Sequence, residues 1–355
     1  MTILWVNLAI VFAFAAMARY FSVPVFNGST NVQPNKIMAA AVAATLVVVS
    51  GLRSNIGDTY FYKHAYKVGD FSWAALADQS DRGFRLFQML LKQLSDDPQI
   101  LLFATALITN VLIVITLYQY SRLFEMSIFI YIASGAFLVS MNGMRQYLAA
   151  SIVFAATKAL FAGNWKLYML ITVFASLFHQ SALVMIPVYF IVRREAWKSS
   201  TFLMLLLAIG IVLGYNYFSE LFFKAIEDTQ YGYYNSFKEG GANFIRVLVT
   251  AAPLVVAYMG REKLKEICPY SDIVVNLSIL GTVIMIISSQ NWIFARLAIY
   301  FNLYQLLLIG WLVPVFRKKD HLLMYFLLIA LYLIFFIYEH VIVLNINYKS
   351  DYLIF

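Results

Sequence analysis

Long apolar runs recur along almost the whole chain and are separated by short polar breaks. A helix that crosses the hydrocarbon core of a bilayer needs about 20 mostly apolar residues. By that measure the sequence predicts ten transmembrane helices, at about residues 2–18, 37–52, 99–120, 126–140, 147–162, 201–218, 244–260, 272–289, 297–316 and 321–340. The fold class that this pattern predicts is all-α, a polytopic transmembrane helical bundle.

The apolar run over residues 167–192 differs from the others because polar side chains interrupt it. It is too long for one simple span, and His179, Gln180 and Ser181 stand near its middle. We interpret it as two short or broken helical pieces, with the polar triplet at a membrane face. The predicted bundle therefore has about 10–12 spans, with a split segment at 167–192.

Two polar stretches are long enough to form loops outside the membrane. Residues 53–98 contain the amphipathic run RGFRLFQMLLKQL at 82–94, which is typical of a helix in the plane of the interface. Residues 219–243 are aromatic and contain glycine, and they form the second predicted loop. Because we find no internal repeat and no linker, we predict a single integral membrane domain over residues 1–355.

Composition agrees with a membrane protein that has almost no water-soluble part. Of 355 residues, 62% are hydrophobic and 12% are charged, whereas soluble domains carry about 25% charged residues. The single cysteine, Cys268, excludes an intramolecular disulfide and any site built from several cysteines. The net charge of +8 is explained by loop lysines and arginines, since no basic soluble module is present to bind nucleic acid. The lipid bilayer is the expected partner.

The lysines and arginines also predict an orientation. If the 53–98 loop is external, the cytoplasmic turns hold thirteen of them and the short external turns with the C-terminus hold six. This distribution follows the positive-inside rule and places both termini outside. The run at residues 2–18 lacks a basic start and is followed by Arg19, so we interpret it as a span rather than a signal peptide.

Several polar residues that are not needed for orientation fall at the predicted external face. Arg145 and Arg296 are isolated among apolar residues, which makes them candidates for function. A planar guanidinium suits phosphate oxygens. Other candidates have structural explanations as well. Arg53 can end a helix at the interface, and the tyrosines that include Tyr60 and Tyr62 can form an aromatic belt. A lone His179 is more often a hydrogen-bonded histidine than a catalyst.

Four patches of this sequence resemble the EpsG family of exopolysaccharide biosynthesis proteins, which are similar to Wzy-type repeat-unit polymerases. They are GLRSNIGDTYFYKHAY after the second span, RGFRLFQMLL in the same loop, NGMRQYLAASIVFAATKAL at the head of a span, and LFHQSALVMIPVYF. The C-terminal half adds ARLAIYF. The family usually has an acidic residue before the glycine-aromatic pair of the second patch, where this chain has Arg82 preceded by Asp81.

The resemblance implies a substrate, a reaction and a place. The substrate is an undecaprenyl-diphosphate-linked oligosaccharide repeat at the outer face of the bacterial cytoplasmic membrane. The reaction transfers the growing glycan from its lipid diphosphate to a new lipid-linked repeat, so the enzyme is a metal-independent glycosyltransferase without a cofactor. A chain-length regulator and export machinery are the implied protein partners. A GT-C-like arrangement of the helices is one option for the fold.

Candidate roles follow from the charges that such a reaction develops. Positioned arginines can compensate the leaving diphosphate, and we rank them Arg145, Arg53 and Arg296. The acceptor hydroxyl needs a general base, for which Asp58 and His179 compete, with Asp58 favoured slightly. The remaining candidates for substrate binding are Arg85, Gln146, Tyr60 and Tyr62.

Other chemistries lack their motifs. No Asp-X-Asp, HEXXH or glycine-rich phosphate loop occurs, and the four histidines are scattered. The alternative that remains is a transporter or flippase for the lipid-linked glycan, or an accessory subunit of its export. A transporter predicts polar residues near the middle of the bilayer and paired repeats, whereas the ionisable residues here lie near helix ends.

Overall fold

The computed structural model describes residues 1–25, 30, 32–77, 81–225 and 240–353. The first half contains α1 Thr2–Tyr20, α2 Lys36–Gly51, α3 Thr59–Val68, α4 Trp73–Ala77, α5 Arg82–Lys92, α6 Gln99–Tyr120, α7 Phe124–Ala133, α8 Ala136–Asn142, α9 Met144–Ala155 and α10 Thr157–Phe161. The second half contains α11 Trp165–Ser176, α12 Met185–Val192, α13 Ser199–Leu213, α14 Tyr215–Ala225, α15 Phe244–Met259, α16 Arg261–Ile267, α17 Ser271–Ser288, α18 Ile293–Leu297, α19 Ile299–Leu312 and α20 His321–Phe336.

Short elements complete this all-α architecture. Two antiparallel strands of two residues each, β1 Val23–Pro24 and β2 Val32–Gln33, close the turn between α1 and α2. One-turn 3₁₀ helices lie at Gln180–Val184, Val313–Val315 and Lys318–Asp320, and a π-helical turn at Ile337–Val343 extends α20.

The helices have the length and composition of membrane spans. Within the described residues, four are long and apolar enough to cross a bilayer, or up to seven if each of three bent helix pairs counts as one span. Four shorter apolar helices of 10–17 residues accompany them, at Lys36–Gly51, Trp165–Ser176, Gln180–Val192 and Ile299–Val315. The predicted all-α polytopic bundle is therefore confirmed.

The core of the bundle lies around α17 and α19. α17 packs against α13, α15 and α19, and α19 also contacts α7 and α9. α19 is buried almost from end to end, from Ile299 to Leu312. α1, α2 and α6 pack together beside this core, and α9 packs against both α6 and α19. α9 therefore joins the two parts of the bundle.

The predicted split at 167–192 is confirmed. α11 ends at Ser176, and the chain resumes at Gln180 in the 3₁₀ turn that leads into α12. His179 adopts an extended backbone, and its ring accepts a hydrogen bond from the Ser181 N–H. This cap satisfies a backbone donor at the start of the second piece.

Two predicted spans differ from the structure because glycines break them. The span at 126–140 consists of α7 and α8, bent by 54° at Ser134 and Gly135. Gly135 has φ +85°, and a Cβ there would clash with the His340 ring. The span at 201–218 ends at Leu213, because after Gly214 the chain turns by 96° into α14.

The 53–98 segment and the C-terminal segment meet at one end of the bundle, which we call the loop end. The Ser54 N–H donates to the Lys349 carbonyl at 2.9 Å, and the Gly83 N–H donates to the Leu177 carbonyl at 2.8 Å. The predicted amphipathic run forms α5. Its position in the interface plane stays a prediction. Of the predicted loop 219–243, residues 226–239 lie outside the described residues.

The other end of the bundle, called the opposite end, has its own polar contacts. Arg19 pairs with the buried Glu125 at 3.2 Å, and the Trp311 Nε1–H donates to the Tyr120 carbonyl at 2.9 Å. Arg122 donates to the Ile267 carbonyl. Charged side chains thus form ion pairs at both the loop end and the opposite end.

Candidate functional site

Arg145 and Asp81 join three parts of the chain at the loop end. Arg145 is the second residue of α9, and its Nη1 lies 3.0 Å from Oδ2 of Asp81, the residue before α5. The other oxygen of Asp81 accepts a hydrogen bond from the Gln180 N–H at 3.2 Å. Because Asp81 is only 5% exposed, this carboxylate fixes the relative positions of α5, α9 and the break after α11.

His179 lies next to this pair in a network of side-chain hydrogen bonds. Its Nδ1 is 2.7 Å from Ser181 Oγ, which is 2.9 Å from the Tyr300 hydroxyl. Gln146 Nε2 donates both to Ser181 Oγ at 3.2 Å and to the Arg296 carbonyl at 2.9 Å. The network therefore connects the break after α11 with α9 and with the start of α19.

The ionisation of His179 is shifted by this environment. Burial, followed by the positive charges of Arg145 and Arg296, lowers the pKa of His179 from 6.5 to about 3. The ring is therefore neutral at physiological pH. A neutral ring with one nitrogen near Ser181 can donate or accept a hydrogen bond without adding charge to the site.

Arg296 and Asp58 form the second charged pair of the loop end. Arg296 lies in α18, and its Nη2 is 4.0 Å from Asp58 Oδ2, just before α3. The guanidinium also lies over the Trp292 ring, 5.0 Å from its centre. The Asp58 N–H donates to Asn142 Oδ1 at 3.0 Å, which fixes the start of α3 against α8.

A cavity of about 210 Å³, called the first cavity, opens beside these residues. Its polar side is formed by Gln146, His179, Ser181 and Arg296. Its apolar side includes Phe222 of α14 and Phe294 of α18, whose rings lie 5.1 Å apart. Phe222 belongs to α14, which follows the 96° turn after α13. The cavity is therefore amphiphilic, with a polar side and an apolar side.

A larger cavity of about 430 Å³, called the second cavity, reaches between α7, α9, α15, α19 and α20. It shares Gln146 and Arg296 with the first cavity, so the two are neighbours. Its wall also includes Glu339, which is paired with Arg246. Ser134 and Gly135 line it, so the bend between α7 and α8 helps to form the space.

Comparison with family models assigns the chain. The model of the EpsG family matches residues 36–350, which is nearly the whole chain. The chain belongs to the EpsG family. This is a family of exopolysaccharide biosynthesis, as the sequence patches predicted. No curated protein and no solved structure matches the chain, and a GT-C-like arrangement stays a prediction.

In this EpsG chain, Arg53 does not reach either cavity. Its guanidinium is 1% exposed and donates to the Ser50 carbonyl, to the Met141 carbonyl at 2.9 Å and to Thr59 Oγ1 at 3.0 Å. Burial lowers its pKa to about 10, so the group stays charged at neutral pH. Arg53 thus connects α2, α3 and α8, and phosphate binding by this residue stays a prediction.

Three further predicted residues lie in the outer layer of the 53–98 segment and do not line the two cavities. Arg85 donates to the Asp70 carbonyl and lies over the Phe71 ring at 4.2 Å. Tyr60 is 68% exposed and stacks on His64, and Tyr62 contacts the edge of Phe84. The structure thus brings together Asp58, Arg145, Gln146, His179 and Arg296.

Sequence reasoning missed several residues of the EpsG site. Asp81 is marked only by its place in the second patch, one residue before Arg82, and has no predicted role. Ser181 is named as part of the polar triplet but not as a site residue, and Tyr300 is an ordinary residue of an apolar run. Glu339 had a usable signal, since an acidic residue inside the run IFFIYEHVIV points to function.

Among the described residues, no group of three or more His, Cys, Asp or Glu side chains is arranged to hold a metal ion.

Proposed function

We propose that this EpsG protein is a polymerase that transfers a growing glycan from undecaprenyl diphosphate to a new lipid-linked oligosaccharide repeat. The bond between the anomeric carbon and the diphosphate oxygen breaks, and a bond from that carbon to an acceptor hydroxyl oxygen forms. The hydroxyl proton passes to a base, and the lipid diphosphate leaves with the negative charge. The loop end, with both termini, faces outward from the bacterial cytoplasmic membrane.

One observation carries the proposal: Arg296 and Gln146 belong to both cavities. In a transfer between two lipid-linked glycans, the donor and the acceptor need two neighbouring cavities. The residues that both cavities share then lie where the glycosidic bond is broken and formed. Arg296 supplies positive charge at that junction, where the leaving diphosphate develops negative charge.

The first cavity fits the lipid diphosphate. Its polar side offers the Arg296 guanidinium and His179 to phosphate oxygens, and Arg145 lies near enough to His179 to influence its ionisation. Its apolar side offers Phe222 and Phe294 to the isoprenoid chain. Charge-assisted hydrogen bonds from arginine to phosphate are among the strong ones, so Arg145 and Arg296 are the proposed phosphate ligands.

Asp58 is the proposed general base. His179 is held as a neutral ring hydrogen-bonded to Ser181, because burial and the charges of Arg145 and Arg296 lower its pKa to about 3. Asp58 lies beside Arg296, and the neighbouring residues Ile56 and Gly57 line the second cavity. Asp58 is therefore placed to take the proton of an acceptor hydroxyl at the part that the two cavities share. The role proposed for His179 is to bind phosphate or sugar.

The experiment is reconstitution of the purified protein in bilayer nanodiscs with a lipid-linked repeat. A polymerase produces a ladder of lipid-linked products that differ by one repeat. If no ladder forms, and the same protein in vesicles moves the lipid-linked repeat across the membrane, the protein is a flippase. A ladder in this two-component system also shows that a chain-length regulator and export machinery, which we propose as partners, are not needed for the transfer itself.

A further inference from the structure

An ion pair lies in the wall of the second cavity and joins α15 to the end of α20. Arg246 Nε donates to Glu339 Oε1 at 2.7 Å, and Arg246 Nη2 donates to the same oxygen. Glu339 is 2% exposed, and its Oε2 has no hydrogen-bond partner among the described residues. A buried carboxylate oxygen normally accepts a hydrogen bond, so a donor is missing at this position.

Trp292 provides a second unsatisfied group in the same wall. Its indole Nε1–H is buried and, within the parts of the chain that the structure describes, has no acceptor. The face of the ring is taken by Arg296, so the indole connects the charged junction to the second cavity. The cavity wall therefore holds one acceptor and one donor that have no partner among the residues that the structure describes.

A sugar satisfies both groups, because a hydroxyl donates and accepts hydrogen bonds at once. A water molecule has the same capacity, but the cavity of about 430 Å³ is far larger than one water needs. Its volume lies in the range of small-molecule sites, which are mostly apolar with a few placed polar groups. An isoprenoid chain offers no hydrogen bond to either group.

We propose that the second cavity is a saccharide subsite, in which Glu339 accepts a hydrogen bond from a sugar hydroxyl and Trp292 donates one. Arg246 holds Glu339 in place through the two hydrogen bonds to Oε1. This subsite rests on the proposed function, since it assigns the sugar to one cavity and the lipid diphosphate to the other. Arg296 and Gln146 lie between the two.

Two probes distinguish binding in the first cavity from binding in the second, in an experiment on the full chain in nanodiscs. The first is an octyl glycoside of one repeat-unit oligosaccharide, which has no diphosphate, and the second is undecaprenyl diphosphate without sugar. We expect Glu339→Gln to weaken the octyl glycoside about tenfold or more and Trp292→Phe to weaken it about three- to tenfold. Both variants leave the affinity for undecaprenyl diphosphate within about twofold.

The chain offers matched controls at the opposite end. Glu125 is also 2% exposed and pairs with a partly exposed arginine, so Glu125→Gln removes the charge from an equivalent ion pair. Trp165 is exposed and lies in α11, so Trp165→Phe makes the same indole change away from the cavity. Both control variants should bind the octyl glycoside as the wild type does.

Unchanged binding of the octyl glycoside in Glu339→Gln and Trp292→Phe would overturn the subsite, and so would equal losses in the two control variants. If Glu339→Gln fails to fold, Trp292→Phe alone decides, because it keeps an aromatic side chain beside Arg296 and removes the N–H donor. A wild type that binds both probes as expected but forms no ladder contradicts the polymerase and leaves the subsite standing. A ladder with unchanged probe binding in the variants contradicts the subsite alone.

Discussion

Arg145 Nη1 lies 3.0 Å from the Asp81 carboxylate, although the two residues are separated by 64 positions in the chain. The contact joins Arg145, the first-ranked candidate for binding the diphosphate, to Asp81, which was not among the candidates. Because Asp81 also accepts from the Gln180 N–H, it orients Arg145 relative to His179. The charged groups of the loop end therefore form one connected arrangement.

Replacing Arg145 should remove chain growth without removing the protein from the membrane. Arg145→Ala deletes a charge that stabilises the leaving diphosphate, and we expect the rate to fall about 10²–10³-fold. The ladder assay on reconstituted protein measures this. Lys166→Ala is the matched control, since it removes an exposed cation near the start of α11, at the opposite end. Wild-type activity in Arg145→Ala would exclude Arg145 from the site.

Asp81→Asn tests whether Asp81 acts through Arg145. The variant keeps the shape of the side chain but loses its charge, so Arg145 loses its fixed orientation. We expect about a tenfold lower rate from Asp81→Asn alone and little further loss when it is added to Arg145→Ala, because residues in one network are not additive. Full additivity in the double-mutant cycle would contradict the coupling.

The pH dependence of the transfer rate tests whether His179 is the general base. With a pKa of about 3, His179 stays neutral from pH 5 to 8, so it cannot shape the rate profile there. His179→Gln should therefore lower the rate and leave the shape of the profile unchanged, while Asp58→Asn removes activity across the range by about 10²–10⁴-fold. A profile whose acidic limb disappears in His179→Gln would reassign the base to His179.

The same shift predicts an effect on stability with a definite sign. The folded pKa of His179 lies below its ordinary value of 6.5, so the unfolded chain binds more protons between those two values. Stability is therefore lost as pH falls from about 6.5 toward 3. Thermal unfolding of His179→Gln should show a weaker loss over that range than the wild type, and an identical loss would contradict the buried neutral ring.

Arg53 should matter for stability rather than for substrate. Arg53→Gln leaves buried carbonyls without their charged donor, and we expect the free energy of unfolding to fall by roughly 3–5 kcal/mol. Unfolding by heat measures this, with Arg296→Gln as the comparison that lowers activity and leaves the melting temperature close to wild type. Loss of substrate affinity in Arg53→Gln at unchanged stability would restore Arg53 to the binding site.

Local pattern was enough to predict the all-α bundle and the break at His179, but not the bends that divide two of the predicted spans. Apolar runs and a polar triplet are local signals, and a bilayer forces each apolar run to be helical. The bend at Gly135 was missed because its reason, the approach of the His340 ring, lies in a distant part of the chain. A single glycine in an apolar run does not indicate which distant side chain packs against it.

The site could be predicted only in part for the same reason. Arg145 and Arg296 stand out because isolated cations in apolar sequence are costly, and His179 stands out because it interrupts an apolar run. Arg53 has the same local appearance, but its role is decided by the Met141 carbonyl, 88 positions away. Glu339 has a local signal as an acid inside an apolar run, whereas Trp292 has none.

A cryo-electron microscopy structure of the protein in nanodiscs with undecaprenyl diphosphate tests the central claim most directly. We predict phosphate density at the loop end, within hydrogen-bond distance of the Arg145 and Arg296 guanidinium groups, and the isoprenoid chain along Phe222 and Phe294. Density for the diphosphate at the opposite end, beside Arg19 and Arg122, would contradict the account.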